Sequence, residues 1–148
     1  MKVMLATDGS DFSRNAAQAC CELFGKNSGV EIRIVSVYED VPVLASEPFA
    51  LAPEYYQDMV DAAKKQAEHF AQEAAEIFRS SCPDAAITTA IPRGKPATRI
   101  VDLANSWPAD IVVVGSHGRG FWGRLLGSVS SAIVHHAPCT VVIVRGDV

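Results

Sequence analysis

Five short runs of aliphatic and β-branched residues recur along the chain, at Val3–Ala6, Val30–Tyr38, Ala86–Ile91, Ile111–Val114 and Thr140–Val144. Helix-compatible sequence separates each successive pair. No other feature constrains the fold as strongly. Strands joined through helices lie parallel, and a parallel sheet needs helices on its faces. Ile111–Val114 contains no polar residue, as expected of a strand covered on both sides. The order β-α-β-α-β-α-β-α-β therefore predicts an α/β fold with a doubly wound, mostly parallel sheet.

The intervening segments carry their own signals. The first helix starts near Asp11 or Ser13 and turns Ala16, Ala17, Ala19, Cys20, Leu23 and Phe24 inward. Ser10 or Asp11 suits its N-cap, and Gly25 with Asn27-Ser28-Gly29 stops it. Residues 39–53, with Pro42, Pro48 and Pro53, read as a long surface loop. Glu54–Arg79 is the longest helix, with Met59, Ala62, Ala63, Ala67, Phe70, Ala74, Ile77 and Phe78 at helical spacing, and Cys82-Pro83 ends it. Pro96–Ser106 turns Ile100, Val101, Leu103 and Ala104 inward. Ser128–His136 is a short helix that Ala137-Pro138 breaks, and His135 and His136 at its end suit the helix dipole.

The 148 residues show no linker or internal repeat, so residues 1–148 read as one domain. A net charge of −4 argues against broad binding to nucleic acid or anionic membrane. The apolar runs are too short for a bilayer span or a signal-peptide core, which excludes membrane insertion and indicates a cytoplasmic protein. Cys20, Cys21, Cys82 and Cys139 form no CxxC pair, so neither a zinc knuckle nor a thioredoxin-type site is expected. They read as buried, reduced thiols.

In a doubly wound sheet, ligands sit outside the carboxyl ends of the strands. Two loops lie there: Thr7–Ser10 after the first strand, and the stretch GSHGRGFWGRLLGS, residues 115–128, after the fourth. If these two strands are neighbours, both loops flank one crevice. The second loop holds five of the chain's ten glycines, including a literal GxGxxG from Gly118 to Gly123. A dinucleotide fingerprint needs a second strand ending in a ribose-binding acid, and none follows; Phe121 and Trp122 also fill its variable positions with bulk. A Walker A loop fails as well, because Arg124 and Leu125 follow Gly123 in place of Lys and Ser or Thr.

Two readings of the loop remain open. Gly115 and Gly118 let backbone approach a ligand, while Gly127-Ser128 opens a helix whose first amides attract an anion, with Arg119 and Arg124 adding charge. The alternative is a flexible crossover with Ser128 as a plain N-cap. Asp8 suits sugar hydroxyls, since a carboxylate accepts hydrogen bonds but repels phosphate. A triad of Ser10, Asp8 and His117 has no GxSxG elbow to support it.

Taken together, "VMLATDGSDFS", "VSVYE", "RGKPATRIVDLA", "ADIVVVGSHGRG" and "LLGSVSSAIVHHAPCTVVIVR" resemble the universal stress protein family over essentially the whole chain. That resemblance implies a five-stranded parallel sheet of order 3-2-1-4-5. It also implies the ATP-binding branch, whose motif is Gly, two residues, Gly, nine residues, then Gly-Ser or Gly-Thr. Gly115, Gly118 and Gly127-Ser128 match its fixed positions. By the resemblance, Gly118, Gly127, Ser128 and the Val129 amide hold phosphates, and Asp8 and Gly115 meet the ribose. Ala6, Thr7, Val37 and Val114 line the adenine pocket, Val37 through its backbone; Ser116 completes the set.

The chain departs from the motif at one point: eight residues, Arg119 to Leu126, replace nine. Gly120 and Gly123 give the shorter loop room to close. The resemblance further implies ATP, with Mg2+, as ligand, at most slow hydrolysis, and a stress-signalling role with a partner the sequence does not identify. It implies a homodimer paired antiparallel through Thr140–Val144. A nucleotide-free dimeric interaction module of the same family is the alternative. His117 is placed either to donate to a phosphate or as an exposed loop imidazole. Phe121 and Trp122 either cover the ligand or meet a partner.

Overall fold

The computed structural model describes residues 1–40, 53–118 and 126–146. Its strands are β1 (Lys2–Ala6), β2 (Glu31–Val35), β3 (Ala86–Ala90), β4 (Ile111–Gly115) and β5 (Thr140–Val144). The α-helices are α1 (Asp11–Cys20), α2 (Pro53–Ser81), α3 (Pro96–Ser106) and α4 (Ser128–His136). The strands form one sheet in the order β3-β2-β1-β4-β5, and every pairing is parallel. The expected architecture and strand order are both present.

The period-two alternation of each strand divides the interior into two layers. Val3 and Leu5 of β1 face α1 and α2, where Ala16, Ala17, Ala74 and Phe78 cover them. Met4 and Ala6 face the opposite layer, with Ile100 and Ala104 of α3 and Ile133 of α4. Register is fixed by these faces: Leu5 pairs with Ile34 on one side and Val113 on the other. Among the described residues, Phe78 is the largest fully buried side chain. Burying such a side chain contributes roughly 1.5–3 kcal/mol.

The second strand is shorter than its apolar run. It ends at Val35, although Ser36 still donates to the Ala90 carbonyl and Tyr38 makes an isolated bridge with Arg93. Leu23, expected inward, is exposed. After Cys20 the helix widens into a π-helical turn, Cys21–Gly25, and the wider turn shifts the phase of the apolar stripe. On α2 the inward stripe runs through Val60, Ala67, Ala71, Ala74 and Phe78, which leaves Ala62 exposed. The loop expected over residues 39–53 falls mostly outside the described residues, Pro42 and Pro48 included; α2 begins at Pro53. Among the described residues, no helix is long and apolar enough to cross a membrane.

The cysteines correct the sequence reading. Cys21 and Cys82 form a disulfide, with their Cα atoms 6.5 Å apart, and are not two separate reduced thiols. Consecutive helical residues point about 100° apart, which follows from 3.6 residues per turn. Cys20 therefore enters the core while its neighbour Cys21 faces the end of α2. Cys20 is free and fully buried, and burial pushes its thiol pKa up to about 12. Cys139 is free and half-buried.

Candidate functional site

β1 and β4 are hydrogen-bonded neighbours, so the loops that leave their carboxyl ends share one cleft of about 530 Å³. Ala6, Thr7 and Asp8 line it from the β1 side, and Val37 from the end of β2. Val114, Gly115 and Gly118 line it from β4, and Gly127, Ser128 and Val129 from the start of α4. Residues distant in sequence are thus brought to one place by the strand order. Ser116 stands behind this wall, almost fully buried. Its amide donates to Val144, and its carbonyl accepts from the Gly127 amide at 2.9 Å.

The loop after β1 is built around Asp8. Asp8 Oδ1 accepts from the Ser10 amide (3.1 Å) and the Ser10 hydroxyl (2.6 Å), a local turn that holds the carboxylate at the cleft. Ser10 Oγ in turn accepts from the Ser13 amide and caps α1. Thr7 Oγ1 donates to Ser13 Oγ and accepts from the Gly9 amide. Gly9 has φ +73°, and a Cβ there would stand 2.3 Å from the Phe70 ring. The Ser10 hydroxyl donates to Asp8, so it is not arranged as a nucleophile activated by His117. His117 instead packs on Phe12 at 5.1 Å, with Nδ1 3.1 Å from Ser116 Oγ.

The start of α4 differs from the start of α1. Gly127 is its N-cap and offers no side-chain hydrogen bond, and Ser128 is the first helical residue. Ser128 therefore does not cap the helix, which corrects the plain N-cap reading. The first amides of a helix have no intrahelical acceptor and carry positive character. Ser130 Oγ lies 2.8 Å from the Ser116 carbonyl oxygen. Together with the Gly127 amide on the same carbonyl, it pins the two ends of the glycine-rich loop at its base. Arg119, Gly120, Phe121, Trp122, Gly123 and Arg124 lie outside the described residues.

The three motif glycines are constrained differently. A Cβ on Gly115 would stand 2.8 Å from the Phe12 backbone, and one on Gly118 would stand 2.7 Å from Asp8 Oδ2. A Cβ on Gly127 would meet nothing closer than 3.4 Å.

Sequence reasoning missed the roof of the cleft. Ala63, Gln66, Ala67 and Phe70 of α2 line it. The stripe holding Ala63, Ala67 and Phe70 reads as core packing. The signal lay in length: α2 has 29 residues, about 43 Å, whereas a five-residue strand spans about 17 Å. A helix returning from the carboxyl end of β2 must overhang that end by several turns, and the overhang faces the loops. Near its start, α2 is tied down through Tyr56, whose hydroxyl accepts from Arg93, itself ion-paired with Asp40. Among the described residues, no group of three His, Cys, Asp or Glu side chains is placed to hold a metal ion.

A family model for the universal stress protein family matches residues 1–145. A universal stress protein of Thermus aquaticus is 33% identical over 144 residues, covering 97% of each chain. Among solved structures, the universal stress protein UspA from Lactobacillus plantarum aligns with a TM-score of 0.81 at 24% identity, over 98% of this chain and 97% of that one. A universal stress protein family protein from Arabidopsis thaliana, solved with AMP bound, aligns with a TM-score of 0.71 at 22% identity, over 99% and 92%.

Proposed function

The chain belongs to the universal stress protein family, and on that premise we propose that it binds ATP in the cleft between the β1 and β4 loops. Bound nucleotide would then set its signalling state in a cytoplasmic stress response, with residues 1–148 acting as one domain. The observation that carries this reading is the division of charge across the cleft. The start of α4 at Gly127-Ser128 has no side-chain cap and presents amides suited to phosphate. Asp8, held by its own turn, presents a carboxylate suited to ribose hydroxyls. Ala6, Val37 and Val114 supply apolar wall for a base. A structural neighbour solved with AMP bound supports a nucleotide as the ligand.

The eight-residue spacer is compatible with this reading. The Gly127 amide and the Ser130 hydroxyl both meet the Ser116 carbonyl, so the base of the loop is fixed. Mg2+ would arrive with the phosphates. With Asp8 placed for the ribose and its Oδ1 taken up by Ser10, no residue is assigned to activate an attacking water, which suits slow hydrolysis at most. The exposed edge at β5 suits antiparallel pairing into a homodimer.

Titration calorimetry with ATP and Mg2+, alongside AMP, tests the proposal. Saturable heat is expected from ATP. No heat, with no thermal shift at millimolar ATP, would overturn it in favour of the nucleotide-free dimeric module.

A further inference from the structure

We infer that Cys21 and Cys82 are a reversible redox site, at which a peroxide staples the end of α2 to the end of α1. Three observations converge on the pair. First, the two residues are bonded across 61 positions of sequence and are almost fully buried. They join the C-terminal ends of two helices that pack on the same face of the sheet. Second, Gly25 makes room for the sulfurs: a Cβ there would stand 2.7 Å from Cys82 Sγ and 3.3 Å from Cys21 Sγ. Third, a hydrogen-bond acceptor for a reduced thiol is already beside the bond. Cys82 Sγ lies 3.4 Å from the Cys21 carbonyl oxygen, an acceptor for a thiol proton.

Position makes the pair addressable despite its burial. Cys21 opens the π-helical turn, and Cys82 follows the last residue of α2. The end of α2 opens locally at lower cost than its middle, so reagents reach the bond through fraying on the Cys82 side rather than global unfolding. Cys20, by contrast, sits in the middle of the same core with no second sulfur bonded to it. Its thiol stays protonated and inert, so oxidation is directed to its neighbour.

The chemistry balances with hydrogen peroxide as oxidant. Each thiol gives up one electron and one proton as the S–S bond forms. The O–O bond breaks, takes up both electrons and both protons, and leaves as two waters. A dithiol reverses the step and is itself oxidised to a disulfide. The consequence reaches the cleft by continuity, because the helix stapled at Cys82 is the one that roofs the cleft with Ala67 and Phe70. Oxidation fixes the far end of that roof.

The test uses the full chain and needs no nucleotide. After peroxide treatment and alkylation of free thiols, mass spectrometry should find residues 21 and 82 in one linked peptide, with Cys20 and Cys139 unlinked. Reduction with dithiothreitol should lower Tm by about 10 °C, because a loop this long loses its closure. It should also speed amide exchange at the end of α2 and in the π-helical turn. Cys21→Ser and Cys82→Ala should each remove the response to peroxide, while Cys139→Ser and Cys20→Ala keep it. If either of the first two fails to fold, the chemically reduced wild-type chain supplies the comparison. Equilibration in glutathione buffers should give a midpoint within reach of the thiol pool. The inference is overturned if no linked peptide forms, if reduction leaves Tm and exchange unchanged, or if the bond persists at every glutathione ratio.

Discussion

Gly118 lies against Asp8: a methyl group on its Cα would stand 2.7 Å from Asp8 Oδ2. The two loops that flank the cleft therefore approach each other so closely at this point that there is no room for a side chain at residue 118 beside the carboxylate assigned to the ribose. Gly118→Val should displace Asp8 and block ligand approach together, weakening ATP binding at least tenfold, which is about 1.4 kcal/mol. Calorimetry checks this, and wild-type affinity in the variant would show the phosphates to lie elsewhere.

Gly127→Ala is the complementary change. Its added carbon meets nothing closer than 3.4 Å, and replacing an N-cap glycine by alanine should cost the fold about 0.5–1 kcal/mol. If Gly127 serves a ligand, ATP affinity should fall while Tm falls only slightly. A variant with unchanged ATP affinity would remove Gly127 from the binding site.

Gly9 and Phe70 form the joint between the β1 loop and the roof of the cleft. Gly9→Ala faces two costs: a left-handed backbone at φ +73°, worth about 1 kcal/mol, and a contact of 2.3 Å with the Phe70 ring. We expect a loss of about 2–4 kcal/mol in urea unfolding. Adding Phe70→Ala should recover the steric part and leave the backbone part. A double-mutant cycle with no coupling would show that the ring simply moves aside.

How much of this was legible without coordinates follows from which signals are local. The end of β1 at Ala6, the span of α3 from Pro96 to Ser106 and the span of β5 are set by nearby prolines, turns and alternation, and all could be read from sequence. The cleft residues Asp8, Gly118 and Gly127 were readable because two carboxyl-end loops must converge once β1 and β4 are neighbours. What was not legible depends on contacts across long separations. The Cys21–Cys82 bond spans 61 positions, and neither cysteine has a local partner to announce it. Leu23 is exposed because the helix changes pitch after Cys20, which no apolar count reveals. Phe70 looks like core from its spacing, and only the mismatch between α2 and the strands assigns it to the roof.

Cys20 gives a prediction about pH. Burial raises its pKa from 9.0 to about 12, so the folded state holds a proton that the unfolded state releases in between. The contribution to stability is therefore complete below pH 9.0, falls as pH rises above it, and is gone once pH passes about 12. Urea unfolding of wild type should weaken over that alkaline window more steeply than unfolding of Cys20→Ala. Native-state alkylation of Cys20 at pH 8 should be about a thousandfold slower than that of an unfolded thiol. Rapid labelling of Cys20 in the folded chain would show that its burial is not maintained.

The edge at β5 supplies the last prediction. Thr140 donates its amide to Asp110, and Val144 accepts from Ser116, so both turn their backbone groups toward the β4 side. Alternation then points the N–H groups of Val141 and Ile143 away from the sheet, available to a second copy of the chain. Wild type should sediment as a dimer at micromolar concentration. Val141→Pro removes one outward N–H without touching a bond to β4, and proline is tolerated near the start of an edge strand. It should shift the chain to monomer while thermal unfolding stays cooperative. A wild-type chain that is monodisperse as a monomer would remove β5 as an interface, and a dimeric Val141→Pro variant would place the contact on another surface.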